Sequence, residues 1–404
     1  MSILTTDSCQ AAIVALEEYE SKLIECDPTT AAALVESKHV KVTPTDSPGR
    51  YWIKARHKVG VAHFPGFELR IVPKVSIARL LYMAAFLRND GDAWDEEEAL
   101  LGNIDDPLSA VAHALLFHAE AALRPTPLQG YVSHEQAEMR VRGRLLFERQ
   151  ISARAGVLLP AELRFDEYEL GIPENRVLKA ALLLVSRFVR EPQLTSRLRH
   201  LLGQLDGVEP WRVGESIPAL TFTRLNDRYR KALTLASLVL ESRSIEYTHR
   251  SVAGTAFMFN MNQVFESYLE ASFRELAEME IGGVVEGQHL TTLDSRNTLK
   301  MKPDITWWRN GTCRAVIDAK YKRVTSDDYP NADAYQMLAY CTRFGLARGF
   351  LVYADLDGTA PATTVVRNCG VEIVTTSVDL GGSIDRLRRS VREFVSAVAE
   401  ECSI

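Results

Sequence analysis

The chain has 404 residues, 46% of them hydrophobic and 25% charged, with a formal net charge of −6 at pH 7. That length supports two or three domains with their own cores, and the composition is that of an ordinary globular protein. The net negative charge excludes a protein that coats nucleic acid nonspecifically, though it leaves room for a local basic cleft. No apolar run approaches the roughly 20 residues needed to span a bilayer. The N-terminus lacks a basic segment leading to a small-residue cleavage site, so a cytoplasmic location is expected. Cysteines at 9, 26, 313, 341, 369 and 402 are scattered without metal-ligand or CxxC spacing, as reduced thiols would be.

Residues 1 to about 50 read as one or two short helices and a turn-rich stretch ending at Pro44, Pro48 and Gly49. Short strand patterns follow at 51–55, 59–62 and 67–71, with a turn at Pro65-Gly66, and a helix runs from Ile77 to Leu87. Residues 1–90 therefore form a small β-rich module. The acidic segment from Asp90 to Glu98 reads as a solvated connector. Residues 91–250 read as mostly helical, with Pro107 opening a helix to Leu123, Glu174-Asn175 capping one to Phe188, and another from Asn226 to Leu240. Within them Arg140, Arg142 and Arg144 surround Gly143, a cluster that makes either surface ion pairs or a contact to phosphate or a protein partner.

The chemistry gathers in residues 251–404, at Pro303-Asp304 and Asp318-Ala319-Lys320. Between them Asn310-Gly311 divides two runs rich in β-branched and aromatic residues, the signal of a hairpin. Along this second run Ala315, Ile317, Ala319 and Tyr321 take one face of a strand, and Val316, Asp318 and Lys320 the other. Register decides whether Asp304 joins them. A plain two-residue turn pairs Asp304 with Ile317 and aims it at the wrong face. A three-residue loop, Asn310-Gly311-Thr312, pairs it with Asp318 and Ile305 with Ile317, and a bulge near Asp304 serves equally well. Opposed residues have Cβ atoms roughly 4.5–5.5 Å apart, near enough for two carboxylates to share an ion. Mg²⁺ suits such a site, because it is commonly held by one or two carboxylates and keeps several waters. It lowers the pKa of its water, which Lys320 would orient, or Lys320 would neutralise charge building on a phosphate.

The plain alternative is a pair of turn and strand-end carboxylates with Lys320 as their ion-pair partner, and a PD…DxK string alone is a weak signal. Its surroundings add weight. Asp333 to Phe344 reads as a helix with Gln336 and Tyr340 one turn apart. Asn260 to Leu276 is a second helix with a Met261, Phe265, Leu269, Ser272, Leu276 stripe and Glu266 at its edge. Short buried strands are expected at 349–353 and 371–375. Helix, hairpin, helix, strand is the order of a PD-(D/E)xK core, so the chain is α+β or α/β and multidomain. In the bland readings Gln336 and Tyr340 are a solvated face and Glu266 pairs with Arg274. No GxxxxGK[ST], HExxH, GxSxG or dinucleotide fingerprint is present, so nucleotide hydrolysis in the P-loop manner is not expected.

In order and spacing these pieces resemble the McrC family, the nuclease subunits of McrBC modification-dependent restriction systems. The resemblance runs through Val59-Gly60-Val61, Leu69 to Lys74, Tyr131, Arg142-Gly143-Arg144, Phe165 to Tyr168, Glu174 to Lys179, Arg224-Leu225-Asn226 with Tyr229, Met261-Asn262 and Phe265-Glu266, and ends at the nuclease motif with Gln336 and Tyr340. Residues 1–49 carry nothing that matches. The resemblance implies a partner-binding N-terminal half, most plausibly the β-rich module, and a restriction-endonuclease-like domain. It also implies a McrB-type AAA+ GTPase hexamer as partner, and methylated double-stranded DNA as substrate. By motif match Asp304 and Asp318 are metal ligands, the Ala319 carbonyl a third, Lys320 the catalytic lysine, and Glu266 an accessory acid. Mg²⁺ is the implied cofactor, with Mn²⁺ as a substitute. Two other readings fit the same residues: a nuclease of another repair or defence pathway, and a non-cleaving subunit that activates a partner NTPase.

Overall fold

Alternation governs the start of the chain: Val14, Leu16 and Glu18 are buried while Ile13, Ala15 and Glu17 are exposed, so Ala12–Glu17 forms strand β1. The computed structural model describes residues 12–64, 67–86, 107–212, 215–218, 220–246, 254–322, 331–355 and 361–402. The Pro65-Gly66 turn and the acidic segment 90–98 lie outside them. The chain divides into two compact units, Met1–Pro107 with Arg243–Ile404, and Leu108–Ser242.

The helices expected before residue 50 are corrected to β1, β2 (Ser21–Glu25), α1 (Pro28–Ser37) and β3 (Val40–Pro44). Ala, Leu and Glu favour a helix at 12–25, but parallel pairing of β1 with a later strand overrides that preference. The one helix present is capped by Asp27, whose carboxylate accepts from the N–H groups of Thr29 (2.9 Å) and Thr30 (3.0 Å). Strands β4 (Arg50–Ala55), β5 (Lys58–Phe64) and β6 (Phe67–Val72) and helix α2 (Ile77–Phe86) follow the expected pattern within two residues.

Helix α3 (Pro107–Leu123) has the bounds its sequence suggests. The mostly helical middle is corrected by an antiparallel sheet of β7 (Gly130–Glu138), β8 (Arg144–Leu145) and β9 (Ala161–Glu169), in the order β7-β9-β8. Ala161, Leu163 and Phe165 of β9 alternate onto a small apolar face with Leu145, and ion pairs within the sheet and from the helix after β8 add to it. Glu135 binds Arg149 and Arg164, and Glu162 binds Arg149 and Arg154. Arg142 takes the ion-pair role, binding Glu138 at 3.1 Å and lying 3.6 Å above the Phe165 ring. Helices α4 (Phe147–Arg154), α5 (Pro173–Val185), α6 (Pro192–Gln204) and α7 (Arg230–Glu241) complete the unit. Glu174-Asn175 is not a cap, because Pro173 already opens α5 and Asn175 points inward. The buried Asn175 amide donates to the Leu128 and Leu170 carbonyls (2.8 Å each) and accepts from the Tyr229 hydroxyl at 3.0 Å.

Strands β10 (Arg243–Glu246) and β11 (Gly254–Asn260) return the chain to the first unit. β11 pairs with β5, giving a five-stranded sheet in the order β1-β6-β5-β11-β10. Residues from the 1–90 and 251–404 segments thus share one sheet. At Gly60 φ is +134° and an added Cβ would strike the Phe257 carbonyl, so only glycine lets β11 approach. Gly60→Ala should therefore destabilise the chain by about 3 kcal/mol, read as a lowered thermal midpoint.

Helix α8 (Met261–Leu276) leads into β12 (Val284–Gly287), the β13–β14 hairpin (Thr291–Thr292, Lys300–Met301), β15 (Ile305–Arg309) and β16 (Thr312–Lys320). Helix α9 (Asn331–Phe344), β17 (Arg348–Asp355), β18 (Ala362–Val365), β19 (Glu372–Asp379) and α10 (Ile384–Cys402) follow. Six of these strands form a sheet in the order β12-β15-β16-β17-β19-β18, parallel across β16, β17 and β19. α9 packs on one face, where Met337, Tyr340 and Cys341 meet Val316, Leu351 and Ile373. On the other face Phe394 of α10 lies 6.3 Å from Phe350 and 6.2 Å from Phe273 of α8.

Candidate active site on the β15–β16 hairpin

The turn between β15 and β16 has two residues, Asn310 and Gly311, at φ +52° and +74°. Positive φ at both suits the primed turns that match strand twist. Alone it would give Asp304 the wrong partner. The register shifts between Trp307 and Trp308, however, so Trp307 pairs with Ala315 and Ile305 with Ile317. Arg314 is the extra residue of that bulge, and the same register continued places Asp304 opposite Asp318. The three-residue loop is therefore not used; the bulge does its work.

Asp318 is 1% exposed, and Asp304 is half-buried just ahead of β15. The Ala319 N–H donates to Asp304 Oδ2 at 2.9 Å, and Gln288 Nε2 donates to Oδ1 at 3.3 Å. In an extended strand the N–H and C=O of one residue point the same way, so the Ala319 carbonyl faces the same edge. Glu266, reaching from α8, lies near enough to Asp304 for its charge to raise that carboxyl's pKa. It is not the partner of Arg274, which instead pairs with Glu270 at 2.5 Å.

Lys320 Nζ lies 2.5 Å from Asp318 Oδ2, and donates to Gln336 Oε1 at 3.2 Å. Gln336 Nε2 donates to the Tyr340 hydroxyl at 2.9 Å, which in turn donates to the Lys302 carbonyl at 3.2 Å. Gln336 and Tyr340 thus belong to a relay that fixes the ammonium, and the solvated-face reading fails for Tyr340, which is buried.

The electrostatics follow from crowding acids away from water. Burial first, then the Asp304 charge, pushes Asp318 up to about 7. Burial and the Glu266 charge push Asp304 up to about 6. Glu266 is raised as well, again chiefly by burial. Burial acts to lower the Lys320 ammonium, but Asp318 and Asp304 outweigh it and hold its pKa above the ordinary value. Three acids against one ammonium leave excess negative charge. Asp318 Oδ2, though ion-paired, completes no hydrogen bond. A buried oxygen with spare acceptor capacity beside a second carboxylate fits a small hard cation. Among the described residues no three His, Cys, Asp or Glu side chains converge on one point.

Gln288 was not legible as part of this group. It follows β12, and its main-chain N–H also donates to the Asp304 carbonyl, at 2.8 Å, so it fixes Asp304 from both ends. Nothing in its local pattern marks it; only the pairing of β12 with β15 brings it near.

A chain of the half-complex from a tetradecameric assembly of Thermococcus gammatolerans McrB AAA+ hexamers with bound McrC is similar, at 19% identity and a TM-score of 0.58, covering 95% of this chain and 100% of that one. A chain of the cryo-EM structure of the Thermococcus gammatolerans McrBC complex matches at 21% identity and a TM-score of 0.39, over 64% of this chain and 86% of that one. The first of these is a likeness of fold, with the same mixture of helices and a β-rich N-terminal region. No curated protein matches the chain. The McrBC 5-methylcytosine restriction system component family matches residues 53–354, well over half of the length. The chain belongs to that family.

Proposed function

We propose that this restriction-system subunit is its DNA-cleaving component, a PD-(D/E)xK endonuclease acting with a McrB-type AAA+ GTPase on methylated double-stranded DNA. The observation that supports it best is the bulged register that brings Asp304, Asp318 and Lys320 together over an apolar sheet. Asp304, Asp318 and the Ala319 carbonyl would hold Mg²⁺, or Mn²⁺ in its place. When bound, such an ion supplies charge neutralisation at the attacked phosphate and a water of lowered pKa. Lys320, aimed by Gln336 and Tyr340, sets its ammonium against the negative charge that builds on the phosphate. Glu266, beside Asp304, would act as an accessory acid and adds negative charge to the site.

The partner surface is read from exposed apolar side chains. In Leu108–Ser242 the segment from β7 to β9 exposes Tyr131 (78%), Met139, Val141, Phe147, Ile151 and Leu158 (89%). A surface of that kind marks a docking site. The β-rich module expected to play this part also exposes apolar side chains, among them Ile13, Val35 and Trp52, and is the second candidate surface. Deleting 51–90 would remove three strands and unfold the unit, so point changes on the exposed segment are the cleaner test.

The test of the whole reading is reconstitution with the McrB-type partner, GTP and Mg²⁺. Methylated DNA should be cut and unmethylated DNA spared, and the chain alone should cut neither. Mg²⁺ should also raise the thermal midpoint of the isolated wild-type chain but not of Asp304→Ala. Cleavage without a divalent cation, or an equal midpoint shift in both proteins, would refute the assignment.

A further inference from the structure

We infer that Glu18 and Tyr19 are positioning residues for Lys320, acting through Tyr321; the inference rests on the nuclease reading above. Pairing of β15 with β16 ends at Ile305 and Ile317, so the stretch that carries Asp318 and Lys320 has β17 as its ladder on one side only. What fixes its far end is the next residue. The Tyr321 hydroxyl donates to Glu18 Oε2 at 3.0 Å, and the Tyr321 carbonyl accepts from the Tyr19 hydroxyl at 3.1 Å. Its ring lies 6.2 Å from that of Phe265, the residue before Glu266 on α8. Side chain, main chain and ring of Tyr321 are therefore held from separate directions.

The holder is itself fixed. Glu18 is 2% exposed, its N–H donates to the Val72 carbonyl at 3.2 Å, and its Oε2 also accepts from the Lys74 N–H at 3.0 Å. Burying a carboxyl group is costly, and an apolar side chain would fill the same space more cheaply. What an apolar side chain would not supply is a directed acceptor for the Tyr321 hydroxyl. Adjacent residues at the end of β1 thus set the position of the residue that follows Lys320, some 300 positions away. Misplacing a catalytic group by about 1 Å costs up to about a hundredfold in rate, which makes such a fixture worth keeping.

Tyr321→Phe, Glu18→Gln and the double variant, all close to isosteric, test this in the reconstituted complex. Tyr321→Phe retains the ring against Phe265 and guards against simple misfolding. Each single change should lower kcat for DNA cleavage about tenfold, leaving KM for DNA and stimulation of partner GTP hydrolysis unchanged. The double variant should be no slower than the slower single, because both remove one hydrogen bond. A lowered thermal midpoint with unchanged kcat would overturn the inference and leave a purely structural contact. Additive losses would overturn it too. Lys320→Ala in the same assay separates the two levels: if it still cuts, the nuclease reading itself fails, whereas if it is dead and Glu18→Gln is fully active, only the positioning role falls.

Discussion

Asp318→Asn should abolish DNA cleavage, by about a thousandfold or more, while stimulation of partner GTP hydrolysis persists. That loss corresponds to several kcal/mol of transition-state charge stabilisation. The same change should make the metal-free chain more stable at neutral pH, because burial and then the Asp304 charge disfavour the ionised Asp318 by more than its Lys320 partner favours it. The folded-state value near 7 lies above the ordinary 3.8. Stability contributed by the protonated form is therefore complete below 3.8 and lost as pH rises through 7. Asparagine does not ionise and keeps it. Thermal unfolding in chelator should show little difference between variant and wild type near pH 4, with the variant ahead above about pH 7. With Mg²⁺ present the order should reverse, since only the wild type gains from binding. A variant that still cuts DNA would remove Asp318 from the chemistry altogether.

Phe147→Glu combined with Leu158→Glu should cut stimulation of partner GTP hydrolysis at least tenfold and abolish cleavage with it. Both side chains are mostly exposed, Phe147 at 67% and Leu158 at 89%, so the fold loses no core packing. Interfaces concentrate their energy in a few buried apolar anchors, and a carboxylate placed in one is desolvated without a partner. The thermal midpoint should stay within about a degree or two of wild type, as for most surface changes. Normal GTPase stimulation by this variant would move the partner surface elsewhere. The pair of predictions is complementary: the Asp318 change separates cutting from stimulation, and the Phe147 and Leu158 change removes both.

The C-terminal sheet was the most legible part of the chain, because Asn310-Gly311 marks the turn of its hairpin and the strands on either side are rich in β-branched, aromatic and other apolar residues. Its register was legible as a fork between a longer loop and a bulge, and the fold takes the bulge, between Trp307 and Trp308. Strands β1 and β2 were not legible, since Ala, Leu and Glu carry helical preference and their partners lie far on in the chain, β6 for β1 and β4 for β2. The β7–β9 sheet was hidden for another reason: β7 is mostly polar, its His134, Glu135 and Gln136 facing Phe165, Arg164 and Leu163, and the apolar alternation lies on β9 alone, at Ala161, Leu163 and Phe165. Among the candidate residues, Asp304, Asp318, Lys320, Gln336, Tyr340 and Glu266 announced themselves through local spacing. Gln288, Glu18 and Tyr19 did not, because each enters through a tertiary contact with no counterpart in its own neighbourhood.

The bulge at Arg314 makes the spacing of the two acids a matter of parity. Lengthening the β15–β16 hairpin by an even number of residues leaves both carboxylates on one side; an odd change throws one of them across the sheet unless a compensating kink is gained or lost. Relatives should therefore differ in the Asp304-to-Asp318 interval mostly by twos; removing Arg314 alone should erase the bulge and leave a regular hairpin whose acids still meet, whereas removing Ala315 with the bulge retained should part them.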